Sequence, residues 1–308
     1  MIYIHLGSWK TGTTTIQTVL RRNRVALQKL GYKFVDQRSQ EFKDFAATFN
    51  EARKLPLREF DTLTSGETAI LERSFDEFYN LVRGIENPIF SWEPFLGHPF
   101  SGLSSMYNSE SAALWFSYLA RRALDTFKFV LTVRNQFDFI ESMYSQEVRK
   151  ARFLSGFNDF FADKLPNDLG WEAVAKPFSD IFADDSLSVI PFEIVKKNGI
   201  RNYLEVFFRS VGIDLSELSL LDKDLHSNPS FSKVADSIAL NVYPFLEKND
   251  RLLLERVLVE NFSNKTHKDN SYFTSTQRNM LYSKVARGNA LFFQKYCPSY
   301  DAQEMGYI

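Results

Sequence analysis

The stretch that most constrains this chain runs from Ile2 to Gln17 and has the sequence IYIHLGSWKTGTTTIQ. Its apolar start predicts a short buried strand, and its last residues open a helix. Between them lies a loop with Gly7, Gly12, Lys10 and several hydroxyls. Glycine permits a tight turn and a close backbone approach, and a helix N-terminus directs unpaired N–H groups and partial positive charge into the loop. The stretch therefore predicts a site for an anion such as a phosphate-like group.

This loop is close to the nucleotide-binding pattern G-x-x-x-x-G-K-[ST] but departs from it, because Thr13 follows Gly12 and Lys10 precedes that glycine by two residues. The run KTGTT instead resembles the phosphosulfate-binding loop of sulfotransferases, which use 3′-phosphoadenosine 5′-phosphosulfate (PAPS). The wider run from His5 to Gln17 looks like the bacterial, carbohydrate-type members. A strand–turn–helix whose threonines only cap the helix is the competing interpretation. The resemblance implies a donor site made of Lys10, Thr11, Gly12, Thr13, Thr14 and Thr15.

A second anion-binding segment is predicted at Arg134, directly after the buried strand expected over 129–133. Arginine offers a planar fork of donors that fits phosphate oxygens, and it stays charged at any relevant pH. Sulfotransferases carry a similar strand–loop–helix, and the resemblance implies that Arg134 and Ser142 bind the 3′-phosphate of PAPS. Gln136 stands where the family often has proline. The alternatives are that Arg134 caps a neighbouring carbonyl and that Ser142 faces its own helix.

Short apolar runs alternate with helical patterns over the first two thirds of the chain, which predicts an α/β fold. We expect a P-loop-like parallel sheet flanked by helices, followed by a mostly helical C-terminal region. One domain over 1–308 is expected, with a core over about 1–215 and an extension over about 216–308. The predicted strands are 2–6, 32–35, 88–93, 129–133 and 187–190. The predicted helices are 13–30, 67–82, 111–127, 137–152, 171–182, 199–211, 232–246, 251–261 and 276–296, with helical fragments near 42–49 and 157–161.

Three candidate residues fall at the carboxyl ends of predicted strands: Lys10, Glu93 and Arg134. Ligands of parallel sheets bind beyond those ends, so we expect the three to converge. The run SWE that ends at Glu93 resembles the strand-end acid that serves as base in bacterial and some heparan-type sulfotransferases. Glu93 would then take the acceptor proton, and Lys10 would stabilise charge on the leaving phosphate. His98 is the alternative base, as in the cytosolic small-molecule members, and a structural ion pair of Glu93 with Lys10 or Arg134 is the competing interpretation.

Composition narrows the function classes. The net charge is −1, from 37 basic and 38 acidic residues, which argues against a nucleic-acid-binding surface but allows a local basic cleft. The single cysteine, Cys297, excludes an internal disulfide, and no His, Cys or carboxylate cluster has metal-ligand spacing. No apolar run approaches membrane-spanning length and no leader precedes the first strand. We therefore expect no transmembrane segment and a cytoplasmic location.

These observations favour a sulfotransferase that moves a sulfuryl group from PAPS, without a metal, to an acceptor hydroxyl on a carbohydrate or glycolipid. The enzyme alternative is an ATP-dependent P-loop kinase with Glu93 in a magnesium site. The third hypothesis is a nucleotide-binding interaction module without turnover. The loops 36–64, 94–110 and 153–170 that would bind the acceptor carry no recognisable motif, and nothing in the sequence indicates the oligomeric state.

Other polar residues near these motifs have ordinary explanations. His5 beside the loop and Gln17 on the first helix fit packing better than catalysis. Arg149, Lys150 and Arg152 fit a solvated helix end better than a site for an anionic acceptor. Over the last ninety residues the family resemblance is loose, being confined to the turn Asn228-Pro229-Ser230 and a terminal helix.

Overall fold

A five-stranded, fully parallel sheet forms the centre of the molecule, with helices between successive strands, which confirms the predicted fold class. The structure is a computed structural model that describes residues 1–57, 62–101, 104–123, 126–221, 229–267 and 271–308. The strands are β1 (Ile2–Gly7), β2 (Tyr32–Val35), β3 (Asn87–Ser91), β4 (Phe127–Val133) and β5 (Leu187–Pro191).

The helices lie close to the predicted ones, with exceptions given below. They are α1 (Thr13–Arg22), α2 (Arg24–Lys29), α3 (Gln40–Ala52), α4 (Ser65–Val82), α5 (Ser109–Ala123), α6 (Gln136–Arg149), α7 (Phe157–Asp163), α8 (Glu172–Ile181), α9 (Ile194–Ser210, interrupted at Gly199), α10 (Lys233–Val242), α11 (Lys248–Asn261) and α12 (Ser275–Tyr296). None of these helices combines the length and apolar character that crossing a bilayer needs.

The strand order β2-β3-β1-β4-β5 places the first strand in the middle of the sheet. The chain leaves β1 toward β2 at one edge and leaves β4 toward β5 at the other edge. The loops that follow these two adjacent strands therefore diverge, and a crevice opens between them at their carboxyl ends. The two predicted anion-binding segments are the loops that border this crevice.

The central strands are buried on both faces, as a parallel sheet with helices on both sides requires. In β1, His5 lies opposite Ser91 of β3 and Val130 of β4, and Gly7 lies opposite Thr132. Polar side chains are thus buried among apolar ones at the carboxyl end of three adjacent strands. Their hydrogen bonds support the loop above them.

The first helix is not continuous over 13–30, as predicted, but breaks at Asn23 between α1 and α2. The Asn23 side chain donates to the Val19 carbonyl at 2.9 Å and to the Ser219 carbonyl at 2.9 Å, and it accepts from the Ser219 amide at 2.8 Å. These contacts tie the break to a segment nearly two hundred residues away. Local helical periodicity carries no sign of such a contact.

The region expected to be irregular between residues 36 and 64 contains a full helix, α3, instead of fragments. Its side chains Phe42, Phe45 and Phe49 are buried. Phe45 and Phe49 pack on Trp115, with ring centroids 5.7 and 4.8 Å apart, and the abundant phenylalanines thus form a deep aromatic core. The hydroxyl of Ser39 caps this helix by accepting from the Phe42 amide.

Several predicted boundaries are wrong, and two of them concern strands. The helix predicted to Phe127 ends at Ala123, because Phe127 already pairs with Ile2 as the first residue of β4. The strand predicted to Glu93 ends at Ser91, and Glu93 begins a 3-10 turn, Glu93–Phe95. Glu93 therefore lies just past the strand end, on a turn that points it away from the sheet ladder.

Candidate functional site

A cleft of about 950 Å³ lies at the carboxyl ends of the strands and contains most of the predicted site residues. The predicted residues that line it are Lys10, Gly12, Thr13, Thr14, Thr15, Glu93, Arg134 and Ser142. Thr11 and His98, also predicted, do not line it. In the turn expected at 228–230, Pro229 and Ser230 line the cleft, while Asn228 lies outside the described residues.

The loop after β1 adopts the backbone conformation expected of an anion cradle. Lys10 has φ 67° and Gly12 has φ 77°, so both lie in the left-handed region. For lysine this conformation is uncommon and is retained where surrounding contacts impose it. A Cβ on Gly12 would also meet the Phe192 ring at 2.9 Å. The N-terminus of α1 has no side-chain cap and no acid in its first turn, so its amide groups face the cleft uncompensated.

A buried chain of hydrogen bonds supports this loop from below. Thr11 Oγ1 donates to the Ser8 carbonyl at 2.6 Å and lies 2.8 Å from Thr132 Oγ1. His5 Nε2 lies 3.5 Å from the same Thr132 oxygen, and His5 Nδ1 lies 2.8 Å from Ser91 Oγ. Each hydroxyl carries one proton, and Thr11 donates its proton to Ser8. Thr132 therefore donates to Thr11, His5 Nε2 donates to Thr132, and Ser91 donates to His5 Nδ1. Burial lowers the pKa of His5 to about 3, so the ring is neutral and serves as a link.

Thr11 thus faces the protein interior, and its hydroxyl is committed to the loop itself. Two tyrosines that the sequence did not reveal add to this support. The Tyr203 hydroxyl donates to the Thr11 carbonyl at 2.7 Å, and the Tyr107 hydroxyl accepts from the Trp9 amide at 3.0 Å. Both tyrosines are buried, so the loop is held from two sides.

Arg134 lines the opposite wall of the crevice. Its Nη1 donates to the Lys10 carbonyl at 2.9 Å, and its guanidinium carbon lies 5.5 Å from the centre of the Phe192 ring. Arg134 thus caps a carbonyl, as the alternative interpretation proposed, while it also lines the cleft. The same hydrogen bond joins the two anion-binding segments directly. Its Nε is buried without a hydrogen-bond partner among the described residues. Ser142, two turns along α6, lines the same wall.

The backbone next to Arg134 is held by the last residues of the chain, which sequence reasoning missed. Glu193 accepts from the Asn135 amide at 2.8 Å and from the Tyr307 hydroxyl at 2.8 Å. The Asn135 side chain also donates to the Gly306 carbonyl. Burial raises the pKa of Glu193, and these hydrogen bonds act in the opposite direction. Glu193 follows the last residue of β5 by two positions and so lies at the carboxyl rim of the sheet. This position in the sequence could have indicated that Glu193 belongs to the site.

Glu93 projects into the cleft from its turn and is half-buried. Burial raises the pKa of its carboxyl group, against the opposing effect of hydrogen bonds from its own backbone, Thr13 and Gln17. In the described part of the chain, neither Lys10 nor Arg134 forms an ion pair with it, so the structural ion pair is not observed. Gln17 packs as expected, with its amide donating to the Ser91 carbonyl at 3.0 Å.

His98 lies behind the cleft wall. Its ring packs edge-on against Trp9, with centroids 4.8 Å apart. Its Nδ1 lies 2.8 Å from the Pro99 carbonyl, and its Nε2 lies 3.4 Å from Glu147 Oε1. A carbonyl can only accept, so Nδ1 carries a proton, and Nε2 faces a carboxylate. Both ring nitrogens therefore face other parts of the protein, and a role of His98 as base stays a prediction.

The cleft is basic although the whole chain is nearly neutral. The ionisable residues that line it are Lys10, Arg134, Arg149, Lys265 and Glu93. Burial, together with the nearby charges of Arg134, Arg149 and Lys150, lowers the pKa of Lys10 to about 8. An anion in the cleft would relieve this repulsion, so the charge arrangement favours anionic ligands.

Three cleft-lining residues have buried polar atoms without a hydrogen-bond partner at good geometry among the described residues: Thr13 Oγ1, Trp9 Nε1 and Arg134 Nε. Buried polar groups are normally paired, so unpaired ones around a cleft are typical of a binding site. No group of three or more His, Cys, Asp or Glu side chains in the described ranges is placed to hold a metal ion.

Comparisons with known proteins find similar solved structures but no similar sequence family. No family model matches the sequence, and no curated protein matches it. The crystal structure of a sulfotransferase from Alicyclobacillus acidocaldarius is similar, with 14% sequence identity and a TM-score of 0.43. The match covers 84% of this chain and 95% of that chain. Because so remote a likeness does not transfer an activity, the function has to be argued from the cleft.

Proposed function

We propose that the protein is a sulfotransferase that moves the sulfuryl group of PAPS to an acceptor hydroxyl, on a carbohydrate or glycolipid as the sequence resemblance implies. The observation that carries this proposal is the direct bond between the two anion-binding segments, from Arg134 Nη1 to the Lys10 carbonyl. It supports one ligand with two separate anionic groups, as PAPS has. The absence of the Gly-Lys-Ser/Thr order speaks against the kinase alternative.

In this proposal the loop from Lys10 to Thr15 binds the 5′-phosphosulfate. The helix N-terminus contributes amide donors and partial positive charge, and Thr13 and Thr14 contribute hydroxyls. Arg134 and Ser142 bind the 3′-phosphate on the other wall. The buried Arg134 Nε, which has no hydrogen-bond partner among the described residues, fits such a ligand, because phosphate and sulfate oxygens accept several hydrogen bonds.

Transfer needs a proton acceptor and a group that stabilises the leaving phosphate. PAPS supplies the sulfuryl group when bound. Glu93 takes the proton of the acceptor hydroxyl, since its raised pKa brings the carboxylate closer to the basicity useful for a general base. Lys10 stabilises the negative charge that develops on the leaving phosphate oxygen, and its contact strengthens in the transition state. Neither of these two roles requires a metal ion.

Calorimetry tests the donor. The protein is titrated with adenosine 3′,5′-bisphosphate in the presence of EDTA, and separately with ATP and magnesium. We expect binding of the bisphosphate without a metal, at an affinity well above that for ATP. Binding of ATP with magnesium alone would support the kinase alternative, and binding of the bisphosphate without any transfer from PAPS to a panel of hydroxyl compounds would support the interaction module.

A further inference from the structure

Helix α6 runs along the cleft and presents one face to it. It starts two residues after Arg134, and Ser142, Gln146 and Arg149 all line the cleft. Steps of four and three residues keep side chains on one side of a helix, so these three form a continuous stripe. The stripe leads away from the proposed 3′-phosphate site.

The far end of α6 lies beside the segment that carries Glu93. Glu147 Oε1 lies 3.4 Å from Nε2 of His98, which follows Glu93 by five residues. The charge of Arg149 also reaches Lys10, whose pKa it helps to lower. Arg149 therefore lines the same cleft as Lys10 and Glu93, near enough for its charge to act on Lys10.

The guanidinium of Arg149 is held in place. Its Nε donates to Glu255 Oε1 at 2.8 Å, and its guanidinium carbon lies 5.7 Å from the centre of the Phe231 ring. Lys150 bonds to the same carboxylate at 3.0 Å, so one carboxylate serves two cations. Among the residues that the structure describes, the two Nη groups of Arg149 have no hydrogen-bond partner. The arrangement leaves two fixed donors and one unmatched positive charge at the cleft.

The donor does not account for this charge. In the proposed function Lys10 and Arg134 serve the two anionic ends of PAPS, while Glu93 has to face a hydroxyl. Arg149 shares the Glu255 carboxylate with Lys150, so these two cations carry one positive charge more than that carboxylate neutralises. An anionic group on the acceptor would satisfy it with a charge-assisted pair of hydrogen bonds.

We propose that the acceptor is acidic and that Arg149 binds its carboxylate, sulfate or phosphate group while Glu93 faces the hydroxyl to be modified. This inference depends on the proposed sulfuryl transfer and adds the class of acceptor. The sequence favoured a solvated helix end for Arg149, because the pairing with Glu255 and the lining of the cleft arise only in the folded chain. Arg149 is then the residue that selects acidic over neutral saccharides.

The test uses two probes that differ only at their carboxyl groups. Protein saturated with adenosine 3′,5′-bisphosphate is titrated with a hyaluronan tetrasaccharide and with its carboxyl-reduced counterpart. We expect the acidic probe to bind at least about tenfold more tightly, since a charge-assisted contact is worth that much or more. Arg149→Gln should reduce the preference to about threefold or less, and Arg149→Lys should retain part of it.

Lys150→Gln is the matched control, because it removes one positive charge and the bonds to the same Glu255, while Lys150 does not line the cleft. It should keep the preference. Equal binding of the two saccharides, no measurable binding of the acidic one, or a preference that survives in Arg149→Gln would overturn the inference. The bisphosphate titration is read first. Its failure would contradict the proposed function, and a loss of bisphosphate binding in Arg149→Gln with the saccharide preference intact would assign Arg149 to the donor.

Discussion

The two anion-binding segments of the cleft are built in different ways. The loop after β1 presents backbone amides and rests on neutral, buried side chains, His5, Thr132 and Thr11. The segment after β4 presents a charged side chain, Arg134, and is held through Asn135 by a buried carboxylate and the end of the chain. The first segment is a rigid cradle in which the ligand meets fixed dipoles. The second segment depends on the cation of Arg134, and the backbone next to Arg134 is held by residues that are distant in sequence.

This difference predicts a division of work. Fixed dipoles and a lysine next to the reacting group can stabilise charge that develops during transfer. An arginine at a remote phosphate contributes the same binding energy before and during the reaction, so it affects donor affinity. The following substitutions test whether the two segments have different effects on turnover and on donor affinity.

The largest effect is expected outside both segments. Glu93→Gln keeps the shape of the side chain but removes its basicity, so turnover should fall by roughly 10²–10⁴-fold, typical for loss of a general base. Donor affinity, measured by calorimetry, should change little. Turnover close to that of the parent, together with an inactive His98→Ala variant, would transfer the role to His98.

Lys10→Ala should lower turnover more than it lowers donor affinity. Removal of one donor that stabilises a developing negative charge typically costs about 10²–10³-fold in kcat. Rates under donor saturation and calorimetric affinities separate the two effects. If only the affinity changed, the first segment would be a binding element like the second, and the proposed division would be wrong.

The pH dependence of kcat/KM sharpens the role of the first segment. Lys10 is charged below its pKa of about 8 and neutral above it, so activity should fall as the pH rises through 8. Glu93 has to be ionised, and its raised pKa should move the acid limb above the usual range for a glutamate. In Lys10→Arg the alkaline limb should shift upward, because a guanidinium keeps its charge. If the alkaline limb did not shift in Lys10→Arg, that limb would report the titration of a group other than Lys10.

A pair of near-isosteric changes should disturb the segments separately and by smaller amounts. Thr132→Val breaks the hydrogen bond beneath the first segment, and Tyr307→Phe removes a donor to Glu193 beside the second. Each change removes about 0.5–1.5 kcal/mol of stabilisation, so the expected effects are about two- to tenfold. Thr132→Val should act on turnover and Tyr307→Phe on donor affinity, with Tyr300→Phe as control in the same terminal region. The reverse pattern would contradict the division.

The same comparison explains what the sequence could predict. The strand, turn and helix of the first segment lie within residues 2–17, so the spacing of glycine, lysine and apolar residues indicates the loop and its place at the sheet rim. The parallel order of the strands then brings Arg134 and Glu93 to that rim. These inferences need only local patterns and one rule of sheet geometry.

Supports formed between distant parts of the chain could not be predicted in this way. Asn135 and Gly306 are 171 residues apart, and nothing near either residue indicates their contact. Thr11 looks like any other hydroxyl of the loop until its proton is donated to the Ser8 carbonyl and its oxygen accepts from Thr132. His98 follows Glu93 closely in sequence, yet the turn directs its ring behind Trp9. Side-chain direction in loops is decided by packing, which periodicity does not encode.

The central claim is that one ligand spans both segments, with its 3′-phosphate on Arg134. Calorimetry with adenosine 3′,5′-bisphosphate and adenosine 5′-phosphate, on the parent protein and on Arg134→Ala, tests it most directly. The parent should prefer the bisphosphate, and Arg134→Ala should lose about 1.5–3 kcal/mol of affinity for the bisphosphate while its affinity for the monophosphate changes little. Equal affinities of the parent for the two nucleotides, or an equal loss for both in the variant, would contradict the account.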